Sequence, residues 1–239
     1  MKSAIAIFRR MAVAALMCAA PCAVAQVSLQ LNEPPSNNTL DGIYVGAYSA
    51  TNTQTGAPTQ VICDDFMDNS DYQQETYTVN NFSDLGNTLW GQKLGVTNAT
   101  PLYDEAAWLA LQMVGLTGKE QGYYSYAIWA VFDPTDVANW LIGHNDTAAC
   151  TAIFGNTTCT GSGGLLGSAK GESPSAAQLA EILILTPQGC GSPGACKEQE
   201  FFQIAEGGTA AMYLLLAAAS CLGAMFFRSR RQNARVGIA

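Results

Sequence analysis

Residues 102–115 read LYDEAAWLALQMVG, and this stretch decides the fold class because its apolar residues recur with the period of a helix. The residues on one face of such a helix are Leu102, Ala106, Leu109 and Met113. Thr100 is a favoured N-cap, Pro101 suits the first helical position, and Gly115 is a typical residue beyond a helix end. We therefore predict an amphipathic helix that begins at Pro101 and ends before Gly115.

Upstream of this helix the pattern changes to the period of a strand. Residues 40–51 read LDGIYVGAYSAT, in which Ile43, Val45 and Ala47 alternate with other residues. Residues 59–66, TQVICDDF, and residues 75–85, ETYTVNNFSDL, are also rich in β-branched and aromatic residues. Turn-forming Asn, Asp, Gly and Ser separate these runs, so the first third of the chain predicts strands.

Downstream the signals are mixed. Residues 122–134, GYYSYAIWAVFDP, favour a second helix that ends before Pro134, although their aromatic and β-branched residues leave a buried strand open. Residues 155–173 are rich in Gly and Ser and predict a loop. The segment SAAQLAEILIL, residues 175–185, predicts a third helix, and EQEFFQIA, residues 198–205, predicts a closing strand.

The C-terminal part has the length and charge pattern of a membrane span. Residues 209–227 contain no charged side chain, and Arg228, Arg230 and Arg231 follow at once. Nineteen helical residues at ~1.5 Å each nearly match a bilayer core, and flanking arginines favour the cytoplasmic side. The pattern predicts a transmembrane helix over residues 209–227 and a cytoplasmic tail over residues 232–239.

The N-terminus has the pattern of a secretory signal peptide. Three basic residues, a short apolar run and an Ala-Val-Ala motif occupy residues 1–25. We expect cleavage between Ala25 and Gln26, which leaves an exported globular domain over residues 26–205. The predicted fold class is α+β: a β-rich exported domain with about three helices, plus one C-terminal transmembrane helix.

The charge of the exported segment excludes polyanionic partners. The whole chain carries a formal charge of −8, but seven of its 11 Lys and Arg residues lie in the two terminal segments. Residues 26–206 keep four lysines against all 19 acids, a formal charge of −15. Such a surface repels nucleic acid and anionic lipid, so we expect no nucleic-acid partner.

Five cysteines remain in the exported segment, which predicts disulfides because export leads to an oxidising compartment. The simplest pairing is local, Cys150 with Cys159 and Cys190 with Cys196, although sequence alone leaves the connectivity open. Cys63 is then the free thiol.

The tail resembles the PEP-CTERM class of bacterial sorting signals, which combine a short Pro-Glu-Pro-type motif, an apolar span and an arginine cluster. Here the motif reads AEGG, so Ala205 and Gly207 stand at the two proline positions. The residues that correspond to the motif and the cluster are Glu206, Gly207, Gly208, Arg228, Arg230 and Arg231. The resemblance implies a sorting signal over residues 206–231, an exosortase-type peptidase as a processing partner, and delivery to the cell surface or extracellular matrix. The signal-peptide pattern of residues 1–25 separately implies a signal peptidase as a partner.

The exported segment resembles the bodies of such proteins through five ordered blocks: VICDDF, YDEAAWLALQM, YAIWAVFDP, AAQLAEILILTP and QEFFQIA. A fainter resemblance is to the thioester domains of surface adhesins, which join an early-strand Cys to a Gln ahead of an AIW-like segment. Cys63 and SYAIW fit that layout, but Ser125 and Tyr126 stand nearest the expected Gln. Gln112 and Gln121 are the nearby glutamines.

The sequence also contains residue types that serve metal binding or hydrolysis in other proteins. Asp64, Asp65, Asp68 and Asp71 are weak calcium candidates because clustered carboxylates suit that ion, although their spacing is not that of an EF-hand. The single histidine, His144, would have to serve any hydrolase triad or a dyad with Cys63. Carboxylate pairs such as Asp104 and Glu105 occur, but 19 acids make pairs common.

Together these patterns predict a secreted or cell-surface protein with a structural or binding role, and neither an enzyme nor a cofactor protein. A possible partner is an extracellular polysaccharide or another matrix component. The alternatives are a permanently anchored single-pass membrane protein, a thioester-domain-like adhesin and a hydrolase.

Overall fold

The computed structural model describes residues 25–32, 39–66, 68, 72–191, 193–194 and 198–204. Six strands form a closed antiparallel barrel in the order β1-β4-β5-β8-β7-β6, in which β6 pairs with β1. Its strands are β1 Gln26–Leu31, β4 Ala47–Asn52, β5 Pro58–Cys63, β6 Gln74–Asn80, β7 Ile182–Pro187 and β8 Phe201–Ile204. A separate hairpin pairs β2 Thr39–Leu40 with β3 Ile43–Tyr44.

The barrel has two apolar faces, which adjacent residues of β8 illustrate. The ring of Phe201 packs inside the barrel against Tyr77 at 5.8 Å and Tyr48 at 6.1 Å. The ring of Phe202 points the other way and lies 6.1 Å from Tyr103, a helical residue. Both phenylalanines are fully buried because strand side chains alternate and helices cover the outer face here.

The described residues include seven α-helices and one 3₁₀ turn, Leu85–Asn87. The helices are α1 Leu89–Leu94, α2 Val96–Met113, α3 Gly118–Phe132, α4 Pro134–Gly143, α5 Thr147–Phe154, α6 Gly164–Ala169 and α7 Ala176–Leu179. Helix α3 lies deepest, with every residue from 125 to 132 buried. A helix that is apolar on all sides is typical of a core position. Because such a helix has no polar face, its sequence is also compatible with a buried strand.

Helix α3 is fixed to the strands by polar side chains as well as by packing. Trp129 Nε1 donates to the Cys63 carbonyl at 3.0 Å, and Tyr126 Oη donates to the Leu40 carbonyl at 3.0 Å. Ser125 Oγ accepts from the backbone N–H of Gly46 at 2.7 Å. Backbone groups at the strand ends therefore obtain partners that the barrel does not supply.

The predicted fold class is wrong in its proportions. The chain is not a β-rich domain with about three helices, because a closed six-stranded barrel carries a larger helical layer. Within the part of the chain that the structure describes, no helix has the length and apolarity needed to cross a membrane. The predicted transmembrane helix over residues 209–227 lies outside the described residues, as do residues 1–24.

Two element boundaries also differ from the prediction. Helix α2 begins at Val96, so Pro101 lies inside it, and Thr100 Oγ1 bonds back to the Val96 carbonyl at 2.7 Å. Residues 182–185 of the predicted third helix belong to β7, and only Ala176–Leu179 is helical, with a capping box at Ser175. The Ile-Leu-Ile-Leu run forms a strand because β6 and β8 pair with both of its edges.

Candidate functional site

The acidic segment after β5 contains the free thiol. Cys63 is buried; its Sγ donates to the Asp65 carbonyl at 2.9 Å and accepts from the Asp65 N–H at 3.4 Å. Burial, and then the neighbouring Asp65 and Asp64, raise the pKa of the thiol well above its usual range. Cys63 is therefore a protonated, packed thiol rather than an activated nucleophile.

Asp64 and Glu200 form a buried carboxyl pair. They lie opposite each other where the β5–β8 ladder ends, and the Asp64 N–H donates to the Glu200 carbonyl at 3.3 Å. Both side chains are 0% exposed. Burial and the facing Glu200 raise the pKa of Asp64 well above its usual range. Neither carboxyl oxygen of Asp64 has a hydrogen-bond partner among the described residues, so burial and the facing Glu200 both favour the protonated form of Asp64.

The side-chain oxygens of Glu200 accept hydrogen bonds from several neighbouring groups. Its Oε2 accepts from the Leu89 N–H at 2.9 Å and from Thr186 Oγ1 at 2.5 Å, while its Oε1 accepts from the Tyr103 hydroxyl. Burial raises the pKa of Glu200, and these donors together with Asp64 oppose that rise. Glu200 thus accepts three hydrogen bonds from described residues, and none of the three donors is a cation.

The pair belongs to a row of polar residues that runs across neighbouring strands, from an exposed end at Gln26 to a buried end at Asp64. The register aligns Gln26 with Thr78 and Thr78 with Thr186, and Thr186 bonds to Glu200, which faces Asp64. Gln26 is exposed and Asp64 is completely buried. We call these five residues, which lie on β1, β6 and β7, directly before β8 and directly after β5, the polar row.

The other calcium candidates hold a loop in place. Asp68 Oδ2 accepts from the Gly194 N–H at 2.9 Å. Gln199 Nε2 donates to the carbonyls of Asp65 and Asp68 at 3.0 and 2.6 Å. Asp71 lies outside the described residues, and those described contain no group of three or more His, Cys, Asp or Glu arranged to hold a metal ion.

The remaining catalytic alternatives have separate contacts. Asp104 Oδ2 accepts from Ser173 Oγ at 3.1 Å, and Glu105 Oε1 accepts from the Gly171 N–H at 2.9 Å, so both fasten the loop before α7. His144 Nδ1 lies 2.9 Å from the carbonyl of Trp140 on the same helix end. These contacts give each residue a local structural role.

The residues considered for a thioester lie in different surroundings. Gln112 is exposed on α2, and Gln121 lines a cavity of about 270 Å³ between the barrel and the ends of α2 and α3. Cys63 instead makes its contacts with the Asp65 backbone.

Of the predicted disulfides, Cys150–Cys159 is confirmed, with Cα atoms 4.6 Å apart. It joins α5 to the loop that follows, and both cysteines are buried. Cys190 is disulfide-bonded, and Cys196, its predicted partner, lies outside the described residues. Of the predicted cleavage residues, Gln26 begins β1, and the Ala25 carbonyl accepts from the Val79 N–H at 2.8 Å.

A polar groove opens over the exposed end of the polar row, with a volume of about 580 Å³. Six of the described residues that line it carry amide or hydroxyl side chains, and none of the described lining residues is charged. The six are Gln26, Thr78, Asn87, Gln92, Thr186 and Gln188. They come from β1, β6, the 3₁₀ turn, α1, β7 and the residue after β7, so closure of the barrel brings them together.

Sequence reasoning missed Glu200, Tyr103 and Thr186 as well as the groove. A signal for Glu200 was present, since a glutamate directly before Phe201 in a buried strand needs donors. Comparison of the chain with models of protein families, with curated proteins and with solved structures gives no match.

Proposed function

We propose that this chain is an exported surface protein, whose barrel domain has a binding or structural role and whose C-terminal segment is a PEP-CTERM-like sorting signal. The observation that carries the proposal is the Cys150–Cys159 disulfide in the core of the helical layer. A buried native bridge in an ordinary-sized domain is typical of an oxidising compartment outside the cytoplasm. The resemblance of the tail and the strongly acidic composition support the same assignment.

A binding or structural role fits the described site better than hydrolysis. The thiol is protonated and packed, the carboxyl pair is fully enclosed, and His144 contacts its own helix. The groove faces solvent, and its neutral side chains suit recognition of a ligand rather than bond cleavage.

Surface accessibility in intact cells tests the location. Residues 53–56 form a turn between β4 and β5, and Gln54 is exposed there, so an epitope tag inserted after Gln54 leaves the barrel ladder intact. We expect an antibody to label the tagged protein on unbroken cells. Labelling that requires lysis of the envelope refutes surface display.

Processing of the tail is tested by Glu206→Gln, with Glu172→Gln at an exposed domain position as the matched control. In a cell that contains an exosortase, the control is shortened like the parent and Glu206→Gln is not. Equal shortening of all three proteins refutes recognition of Glu206.

A further inference from the structure

The groove over the polar row has the chemistry of a site for a neutral polyhydroxylated ligand. Four of its side chains are carboxamides, Gln26, Asn87, Gln92 and Gln188, and all four are exposed. A carboxamide offers a donor and an acceptor side by side, which matches a pair of neighbouring hydroxyl groups. An ionised side chain would instead select a charged ligand.

At the floor of the groove, neighbouring side chains fix the hydrogen-bonding role of the Thr186 hydroxyl group. Asn80 Nδ2 donates to Thr186 Oγ1 at 2.9 Å, and Thr186 in turn donates its proton to Glu200. A hydroxyl has one hydrogen and two lone pairs, so Thr186 keeps only one lone pair for a ligand. The buried carboxylate therefore makes Thr186 an acceptor, and the ligand must present a hydroxyl or N–H donor to it.

Two features exclude other ligands. The formal charge of −15 over residues 26–206 repels anionic polysaccharides. An extended peptide commonly binds by pairing with an open strand edge, but Gln26, Thr78 and Thr186 lie in ladders of a closed barrel. Side chains rather than an exposed backbone edge must therefore make the contacts.

We propose that the groove formed by Gln26, Thr78, Asn87, Gln92, Thr186 and Gln188 binds a neutral oligosaccharide. This rests on the proposed function, since it gives the surface domain a ligand class, namely the uncharged glycan chains of an extracellular matrix. The hydroxyl groups of the sugar pair with the carboxamides, and one hydroxyl donates to Thr186.

The test is isothermal titration of the purified full chain with three neutral hexasaccharides, made of β-1,4-glucose, α-1,4-glucose or β-1,4-N-acetylglucosamine. An oligogalacturonate and a capped Ser-Gln-Asn-Thr peptide serve as anionic and peptide comparators. We expect at least one neutral hexasaccharide to bind saturably in the millimolar range or more tightly, and more tightly than both comparators.

Near-isosteric variants locate the binding. Asn87→Asp with Gln188→Glu removes two donor groups from the groove, and we expect affinity to fall by about tenfold or more. Gln54→Glu places a new carboxylate on the exposed β4–β5 turn and should change affinity by less than about twofold. Circular dichroism of each variant checks that the fold is retained.

The proposal is overturned if no neutral hexasaccharide binds, if a comparator binds more tightly, or if the double variant binds like the parent. Because titration uses purified protein, its result is independent of the cell-surface labelling. Sugar binding by a protein that is not displayed would contradict the proposed location alone, whereas surface display without sugar binding would contradict this inference alone.

Discussion

Asp64 and Glu200 face each other at the end of the β5–β8 ladder, fully buried, and no cation neutralises either carboxyl among the contacts described. Burial and the facing Glu200 raise the pKa of Asp64, which favours its protonated form, and Glu200 receives donors from Tyr103, Thr186 and the Leu89 backbone. This relationship connects the barrel to the helical layer and sets the donor direction at Thr186.

Asp64→Asn should flatten the pH dependence of stability. The raised pKa of Asp64 means that the folded state keeps a proton that an unfolded aspartate loses above about pH 4. Stability is therefore full below the unfolded pKa and falls as pH rises toward the folded pKa, by up to about 1.4 kcal/mol per pH unit. Asparagine has nearly the shape of a protonated aspartate but does not titrate.

Urea unfolding between pH 5 and pH 9 measures this difference. The parent should lose stability more steeply with pH than Asp64→Asn, while Asp84→Asn, at an exposed position, should follow the parent. Identical slopes for the parent and Asp64→Asn would mean that Asp64 does not keep a proton in the folded state.

Glu200→Gln should destabilise the fold by about 2–4 kcal/mol, because one amide oxygen cannot satisfy the buried donors that two carboxylate oxygens accept. The amide group would also point its own N–H donors at the Tyr103 or Thr186 hydroxyl. Denaturant titration at pH 7 measures the loss. A change below about 0.5 kcal/mol would show that the network contributes little to stability.

Gly91→Ala should destabilise the protein by about 2–4 kcal/mol through overpacking. A Cβ at position 91 would lie 1.6 Å from the backbone oxygen of Leu85, which cannot move without disrupting the 3₁₀ turn. Gly143→Ala is the matched control, since a Cβ there meets nothing within 4 Å and alanine favours a helix. Thermal unfolding should separate the two variants, and equal midpoints would contradict the close packing of α1 against Leu85.

Loss of the Cys150–Cys159 bridge should weaken the fold without abolishing it. The two cysteines are nine positions apart, and closing so short a loop contributes about 2–3 kcal/mol. The double variant Cys150→Ala, Cys159→Ala should therefore unfold at lower urea concentration. In a Cys63→Ala background, which lacks the free thiol, the same double substitution should lower stability by the same amount. A double variant as stable as the parent would show that the bridge does not contribute to the stability of the fold.

The sequence predicted what depends on local pattern. The periodicity of residues 102–115 identified α2, and the short spacing of Cys150 and Cys159 identified their bridge. It misassigned the Ile-Leu-Ile-Leu run of β7, because strand pairing with β6 and β8 overrides the helical start at Ser175.

The site could not be predicted in the same way, because its residues are far apart in the chain. Asp64 was noticed in an acidic cluster, yet its partner Glu200 is reached only through the β5–β8 ladder. The groove residues come from both ends of the domain, from Gln26 to Gln188, and only barrel closure aligns them. Local pattern does not contain such long-range register.

The intact mass of the protein isolated from its own cells tests the central claim, export to an oxidising surface, most directly. The account predicts a chain that begins at Gln26, carries the Cys150–Cys159 bridge, and gains two hydrogens for each disulfide when it is reduced. A chain that retains residues 1–25 and has the same mass before and after reduction would contradict it.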